Sequence, residues 1–304
     1  MDGELPRCGA TLHERCASRE TVVRCGRRAR KSMATPPPHV VARSQAHPEY
    51  PARARVLDEQ VPWSAPWPDY APTEFIAQHV LANDRTVNPR GWADPASLDA
   101  ISSAEWTQKS SHLGAYAFDA VGRPVNPRGR TGMSNRGFLG KWGPNHAADP
   151  IVTRFHPTGG QLQVVAIERR DNGVVALPGG MVDAGEVVSA TVRREFIEEC
   201  VNLTDAAERA EAERLLNKLF EGAESKVVYR GYVDDPRNTD HSWMETCAFH
   251  FHCEGLVAQL QLSAGDDAAH AFWMDVGDAN ATYAGMMANH KVWVDEVAAS
   301  MRQK

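Results

Sequence analysis

The sequence lacks features that mark several classes of protein. Its 304 residues include six cysteines, and none of them forms a Cys-x-x-Cys pair. A disulfide framework is not expected in a chain with this much apolar core and no apolar secretory segment. No apolar run approaches the about 20 residues that a membrane-spanning helix requires. We expect an intracellular protein, mitochondrial or cytoplasmic, that makes no membrane contact through this chain.

Positive charge is scarce after the first 55 residues. The net charge is -6, yet residues 1–55 hold 11 Lys+Arg and 5 Asp+Glu, so the remainder is strongly acidic. Nucleic acid is not an expected partner, because binding to a phosphate backbone depends on basic side chains. Residues 1–50 are predicted to be a disordered basic tail or a targeting segment of mitochondrial type.

A glycine-rich segment, residues 122–146, contains no acidic residue. It carries six glycines and five cations, which are Arg123, Arg128, Arg130, Arg136 and Lys141. Glycines let backbone N–H groups approach a ligand, and the cations would attract an anionic substrate. The alternative is a connector whose charges face water, and composition alone favours this connector.

Hydrophobic periodicity is clearest in the second half of the chain. Residues 162–167 and 173–178 are short β-branched runs joined by a polar turn, which predicts a hairpin. Helices are predicted at about 205–220 and 283–301, and strands at 226–233, at 244–253 and near Trp273. Strands interleaved with helices indicate an α/β protein with an α/β/α layered domain.

Three carboxylates, Glu195, Glu198 and Glu199, lie within one turn of a predicted helix. Like charges at this spacing repel, and the cost grows if the groups converge in a cleft. An apolar stripe beside them would bury the helix and turn the carboxylates towards a groove; it consists of Val188, Val192, Phe196 and Cys200. Clustered hard oxygen ligands suit Mg²⁺ or Mn²⁺. The alternative is an ordinary solvated acidic face.

The spacing around these carboxylates reproduces the Nudix box. Gly180 is followed by five residues and Glu186, then by seven residues and the run Arg194 to Glu199. Val201 departs from the usual Gly at the end of the box. The chain resembles the Nudix hydrolase family over about residues 53–302, in particular the animal mitochondrial ADP-ribose pyrophosphatases and the Nudix-homology domain of melastatin-type TRP channels. Matching segments outside the box include "GRTG" (129–132), "GKWGPNHAADPIVTRF" (140–155), "GYVDDPRNTDHSWMET" (231–246) and "AGDDA" (264–268).

This resemblance implies a fold and a function. The fold is a Nudix α/β/α sandwich with a mixed sheet at 149–304, preceded by a smaller N-terminal domain at 51–148 that helps to enclose the substrate. The implied activity is an ADP-ribose pyrophosphatase that produces AMP and ribose 5-phosphate with Mg²⁺, with Mn²⁺ as the alternative metal, in a monomer. The second functional class is a module that senses ADP-ribose without cleaving it. Intact acidic box positions favour the enzyme.

The resemblance also implies roles for individual residues. The metal ligands would be Glu195, Glu198, Glu199 and the Gly179 carbonyl. The catalytic set would contain Glu186, Arg194, Glu198, Glu199 and Asp267. Within it, Glu186 and Arg194 would orient the metal ligands and not act directly. The substrate would contact Arg130, Asp235, Arg237 and Asn289.

Two further groups have competing interpretations. Asp267 lies on an Ala-Gly-Asp-Asp stretch where Nudix proteins keep an extra acid for base catalysis, although such a turn has a structural explanation. His250 and His252 lie on one face of a predicted strand near Cys253 and could bind zinc. Two His at this spacing without further ligands are more often the polar face of a half-buried strand.

Overall fold

The computed structural model describes residues 39–44, 47–183, 188–201, 205–222, 226–255, 262–264 and 268–302. Its first part contains short elements: α1 (Val40–Arg43), β1 (Thr73–Ile76), α2 (Gln78–Ala82), α3 (Ser103–Gln108) and β2 (Met133–Gly137). Strands β1 and β2 pair in parallel. Helix α3 begins at a capping box, in which Ser102 and Glu105 satisfy each other's backbone N–H groups. No helix among these residues is long and apolar enough to cross a bilayer.

The second part is built on a seven-stranded sheet. The elements are β3 (Gly143–Phe155), β4 (Leu162–Arg169), β5 (Val175–Ala176), β6 (Gly180–Met181), α4 (Val188–Cys200), α5 (Ala206–Gly222), β7 (Lys226–Tyr232), β8 (Ser242–Cys253), β9 (Ala268–Asp275), α6 (Ala281–Ala284) and α7 (Ala288–Met301). The strand order is β5-β4-β3-β8-β7, with β6 beside β3 and β9 beside β4. Among the described strands of this sheet, only β3 and β8 pair in parallel, so the sheet is mixed.

Helices cover both faces of this sheet because successive side chains of a strand point to opposite sides. In β4, Val165 faces a core formed with α4 and α5, and Val164 faces a core formed with α6 and α7. On α4 the buried residues Val192, Phe196 and Cys200 contribute to the first core. The α/β/α layering and these three members of the stripe on α4 therefore agree with the pattern in the sequence. The side chain of Val188, the fourth predicted member, lies outside the described residues.

Several predicted elements are confirmed and two features differ. The 162–178 hairpin forms, with Ile167 opposite Ala176. The predicted closing helix is divided into α6 and α7. In the connection between them, the Met287 N–H donates to the Val175 carbonyl of β5 and so does not continue a helix. The sequence analysis assigned no strand to 143–155, where β3 runs through the centre of the sheet. A proline and several polar residues argue against a central strand in a sequence, and Pro150 lies within β3. The strand nevertheless forms and is buried between its neighbours.

Hydrogen bonds from the first part of the described chain hold the loop between β7 and β8. Asp240 in that loop is buried and accepts hydrogen bonds from the Thr131 N–H and hydroxyl and from the Tyr70 hydroxyl. Arg53 donates to the carbonyls of Pro236 and Asn238 in the same loop. The loop conformation therefore depends on residues far away in the sequence.

Arg130 lies inside this packing. Its side chain donates to the carbonyls of Gln60, Pro62 and Ala65. The guanidinium lies over three aromatic rings, those of Trp63, Trp67 and Tyr70. With the residue only 6% exposed, this arrangement holds the 60–70 segment against the glycine-rich segment. A direct contact with substrate stays a prediction.

We expect Arg130→Ala to destabilise the protein by about 3 kcal/mol, because hydrogen bonds to a charged group contribute about 1.5–3 kcal/mol each and the carbonyl acceptors would lose their donor. Chemical denaturation followed by circular dichroism measures this. Arg90→Ala is the matched control, since Arg90 is exposed. Equal midpoints for the two variants would show that the Arg130 contacts carry no stability.

Candidate active site

The carboxylates of Asp149 and Glu195 lie close to the backbone of Gly179 and Gly180, the two glycines at the start of the box. Gly179 has φ +153°, and a Cβ there would lie 2.5 Å from Asp149 Oδ1. A Cβ on Gly180 would lie 2.5 Å from Glu195 Oε1. Gly180 also pairs with Ala148 in the β6–β3 ladder. Gly179 requires glycine, because a Cβ there would also lie 2.7 Å from the Ala148 carbonyl oxygen. At Gly180 a Cβ would have to displace the Glu195 carboxylate.

Helix α4 supplies three carboxylates with different environments. Glu195 and Glu199 are buried, whereas the Glu198 side chain is 55% exposed. The Gly179 N–H donates to Glu199 Oε2 over 2.8 Å. The acidic helix is thus joined directly to the glycine turn, and Glu198 faces outwards beside it.

Arg194 provides positive charge within this cluster. Its Nη1 lies 2.8 Å from Glu195 Oε1 and 3.0 Å from Glu198 Oε2. Its Nη2 donates to the Met181 carbonyl over 3.0 Å. One guanidinium therefore orients two of the box carboxylates and attaches them to β6, which is the orienting role that the resemblance implies for Arg194.

Burial shapes the electrostatics of the cluster. It raises the pKa of Glu195, and the charge of Arg194 offsets part of that effect. Asp149, behind the glycine turn, has a pKa raised to about 7 by burial, with the charge of Glu195 adding to the increase. The Thr246 hydroxyl donates to Asp149 Oδ2. Carboxyl groups are thus collected where burial disfavours their charged forms, and a bound cation would stabilise those charged forms.

A histidine from α7 completes this region. The Leu177 N–H donates to His290 Nδ1 over 2.9 Å, so the ring proton lies on Nε2. That Nε2 is 3.9 Å from Asp149 Oδ1. Burial lowers the pKa of His290 to about 4, which keeps it neutral. The sequence analysis gave no role to Asp149 or His290, although both lie in or beside stretches that it singled out.

The other predicted site residues fall into three groups. Asp235 and Arg237 form a bidentate ion pair with both oxygen contacts at 2.8 Å. Burial acts to raise the pKa of Asp235, but the charge and hydrogen bonds of Arg237 outweigh it and the pKa is lowered. Asn289 lies in the first turn of α7, next to His290. Glu186 and Asp267 lie outside the described residues.

A cleft lies beside β6. It has a volume of about 370 Å³, and its walls come from both parts of the described chain, including Lys109, Lys141, His146, Val182 and Asp183. Lys141 Nζ donates to the Val182 carbonyl over 3.0 Å. The first part of the described chain therefore contacts the residues that directly follow the glycine turn.

His250 and His252 share one partner. The Thr153 hydroxyl lies 2.8 Å from His250 Nε2 and 2.9 Å from His252 Nδ1. This arrangement agrees with a hydrogen-bonded strand face, the interpretation that the sequence analysis favoured over zinc.

Comparison with known families decides the identity of this fold. The NUDIX domain matches residues 146–297, and the N-terminal domain described as NUDT9-like matches residues 56–143. The chain belongs to the Nudix family. The Nudix domain is the predicted α/β/α sandwich, and an N-terminal domain precedes it as predicted.

Two relatives match both domains of this Nudix protein. The chain is 45% identical over 269 residues to the mitochondrial ADP-ribose pyrophosphatase of Rattus norvegicus, covering 81% of this chain and 75% of the relative. It is 41% identical over 260 residues to a transient receptor potential cation channel subfamily M member-like 2 of Nematostella vectensis. That match covers 78% of this chain but only 16% of the channel.

We expect Gly180→Ala to weaken divalent-cation binding at least about tenfold, equivalent to about 1.4 kcal/mol. The added Cβ would displace the Glu195 carboxylate. Calorimetric titration with Mn²⁺ measures the affinity. Gly159→Ala is the control, because the nearest atom to its Cβ would lie at an ordinary 3.4 Å. Parent-like affinity of Gly180→Ala would contradict the role given to this contact.

Proposed function

We propose that this protein is an ADP-ribose pyrophosphatase that hydrolyses ADP-ribose to AMP and ribose 5-phosphate with Mg²⁺; Mn²⁺ is the alternative metal. The observation that carries the proposal is the 45% identity to a mitochondrial ADP-ribose pyrophosphatase over 269 residues. This similarity extends over both domains, so it includes the part of the chain that forms the cleft with the Nudix box.

The donor set of the box fits a hard divalent cation. Nudix ADP-ribose pyrophosphatases depend on such a metal. Glu195, Glu198, Glu199 and the Gly179 carbonyl would hold it here through oxygen atoms, which Mg²⁺ prefers. Glu195 and Glu199 are buried, as is the nearby Asp149. Burial raises the pKa of Asp149 to about 7, so a bound cation would stabilise its charged form. When bound, the metal polarises a phosphoryl oxygen and offsets phosphate charge.

The protein's own residues orient this machinery. Arg194 fixes Glu195 and Glu198, and the Gly179 N–H fixes Glu199. Preorganised charge of this kind lowers the cost of arranging groups around the reacting phosphate. Glu186 is assigned an orienting role and Asp267 a role as catalytic base, both on the family resemblance.

Substrate binding is assigned to the loop between β7 and β8 and to α7. Asp235 holds the Arg237 guanidinium, which remains 38% exposed and can meet an anionic or hydroxyl-rich ligand. Asn289 would contribute from α7. Arg130 would act by holding the 60–70 segment in place, since both of its terminal guanidinium nitrogens already donate to carbonyl groups. The mitochondrial relative and the basic residues 1–50 support a mitochondrial location, and a monomer stays a prediction.

A module that senses ADP-ribose without cleaving it is the second candidate. Its support is the 41% identity to the channel relative over 260 residues. The hydrolase is favoured, because the box keeps Glu186, Glu195, Glu198 and Glu199.

Incubation of the full-length protein with ADP-ribose and Mg²⁺ is expected to release AMP and ribose 5-phosphate, quantified by chromatography. Glu198→Gln and Glu199→Gln should each lower kcat at least about 100-fold, or about 2.7 kcal/mol in activation free energy. Glu213→Gln, an exposed glutamate of α5, is the control and should match the parent. Binding of ADP-ribose without product would replace the hydrolase with the sensing module.

A further inference from the structure

A second group of metal-type side chains consists of residues outside the Nudix box. His146 on β3 and Glu245 on β8 are neighbours in the parallel ladder. His112 reaches them from the segment that follows α3. One nitrogen from each imidazole and one carboxylate oxygen lie within 4.8 Å of one another. The two domains therefore bring three ligand-type groups together.

Glu245 is fully buried and retains acceptor capacity. Its Oε1 accepts hydrogen bonds from the Ser111 hydroxyl and the Trp243 indole, and its Oε2 accepts one from the His112 N–H. A carboxylate offers about four acceptor positions, two on each oxygen. One acceptor position therefore remains on Oε2, the oxygen that already accepts the His112 N–H.

His146 has the arrangement of a metal-binding imidazole. Its Nε2 lies 2.9 Å from the Ser110 carbonyl, so Nε2 carries the proton and donates it. Its Nδ1 is buried and has no hydrogen-bond partner among the described residues. Metal-bound histidines commonly donate their other ring N–H to a carbonyl, which fixes the ring and its tautomer. The lone pair on Nδ1 is thus desolvated and available to a ligand.

His112 lies close to the same point. Its ring centroid is 4.6 Å from that of His146, and its Nε2 is 3.3 Å from Cys247 Sγ. Burial lowers the pKa of both imidazoles below the ordinary 6.5.

We propose that His112, His146 and Glu245 bind Zn²⁺. Two imidazoles and one carboxylate form a ligand set that zinc uses in proteins, with a fourth position open to water. The all-oxygen set of the box suits Mg²⁺ instead, so the two sites select different metals. Zinc here would join the segment after α3 to the central strands of the Nudix sheet. It would thereby fix the N-terminal domain against the strand that pairs with β6.

Zinc content of the full-length protein tests this proposal. The protein is stripped with a chelator, supplied with Zn²⁺ in the presence of excess Mg²⁺, and passed through gel filtration before elemental analysis. We expect about one zinc per chain, and replacement by Co²⁺ should give the strong visible absorption of a four-coordinate site. Less than a tenth of an equivalent of zinc in the parent would overturn the proposal.

Variants locate the ion. His112→Ala keeps the backbone N–H that donates to Glu245, so it should fold, lose zinc affinity at least about tenfold and lose the increase in Tm that zinc gives the parent. His112→Asn serves if the alanine variant does not fold. His270→Ala, at an exposed histidine of β9, and Glu199→Gln should both retain zinc. Retention of zinc by the His112 variants, or its loss in Glu199→Gln, would assign the ion to another site.

Discussion

The close approach of carboxylates to the Gly179–Gly180 backbone is the constraint on which the site depends. Asp149 and Glu195 fill the volume where two Cβ atoms would lie, and Glu199 accepts the Gly179 N–H. The hydrogen bond to Glu199 joins α4 directly to the glycine turn that precedes β6. The close approach also places carboxyl groups in a poorly solvated region, where their charged forms are disfavoured unless a cation is present. The glycines, the helix and the metal requirement therefore have one common physical cause.

The N-terminal domain contributes to the same site by shaping loops. Arg53 and Tyr70 hold the loop that carries Asp235 and Arg237, and Lys141 reaches the residues after the glycine turn. These contacts use backbone carbonyls and one buried carboxylate, so they define loop conformation with little dependence on exposed side chains. A Nudix domain without these contacts would lose the supports of its β7–β8 loop.

Sequence patterns predicted the parts of the protein that depend on local order. The box helix, the hairpin and the apolar stripe of α4 follow from periodicity and spacing, which act within a few turns of chain. Strand β3 was missed because Pro150 and its polar neighbours do not alternate like a typical strand. The pair formed by Asp149 and His290 was also missed, since it arises only when α7 packs beside the glycine turn. The group of His112, His146 and Glu245 was missed as well, since it arises only when the segment after α3 packs against β3 and β8.

The central claim is that the box carboxylates form a charge cluster that a divalent cation stabilises. The most direct test is the melting temperature of the parent and of Glu199→Gln during titration with Mg²⁺ in the absence of substrate. Binding to the native state should raise the parent Tm steadily with Mg²⁺ concentration. Glu199→Gln should show a much smaller rise, and should melt at or slightly above the parent when metal is absent, because one like charge is gone. A parent Tm that does not respond to Mg²⁺, or a variant that melts far below the parent without metal, would contradict the account.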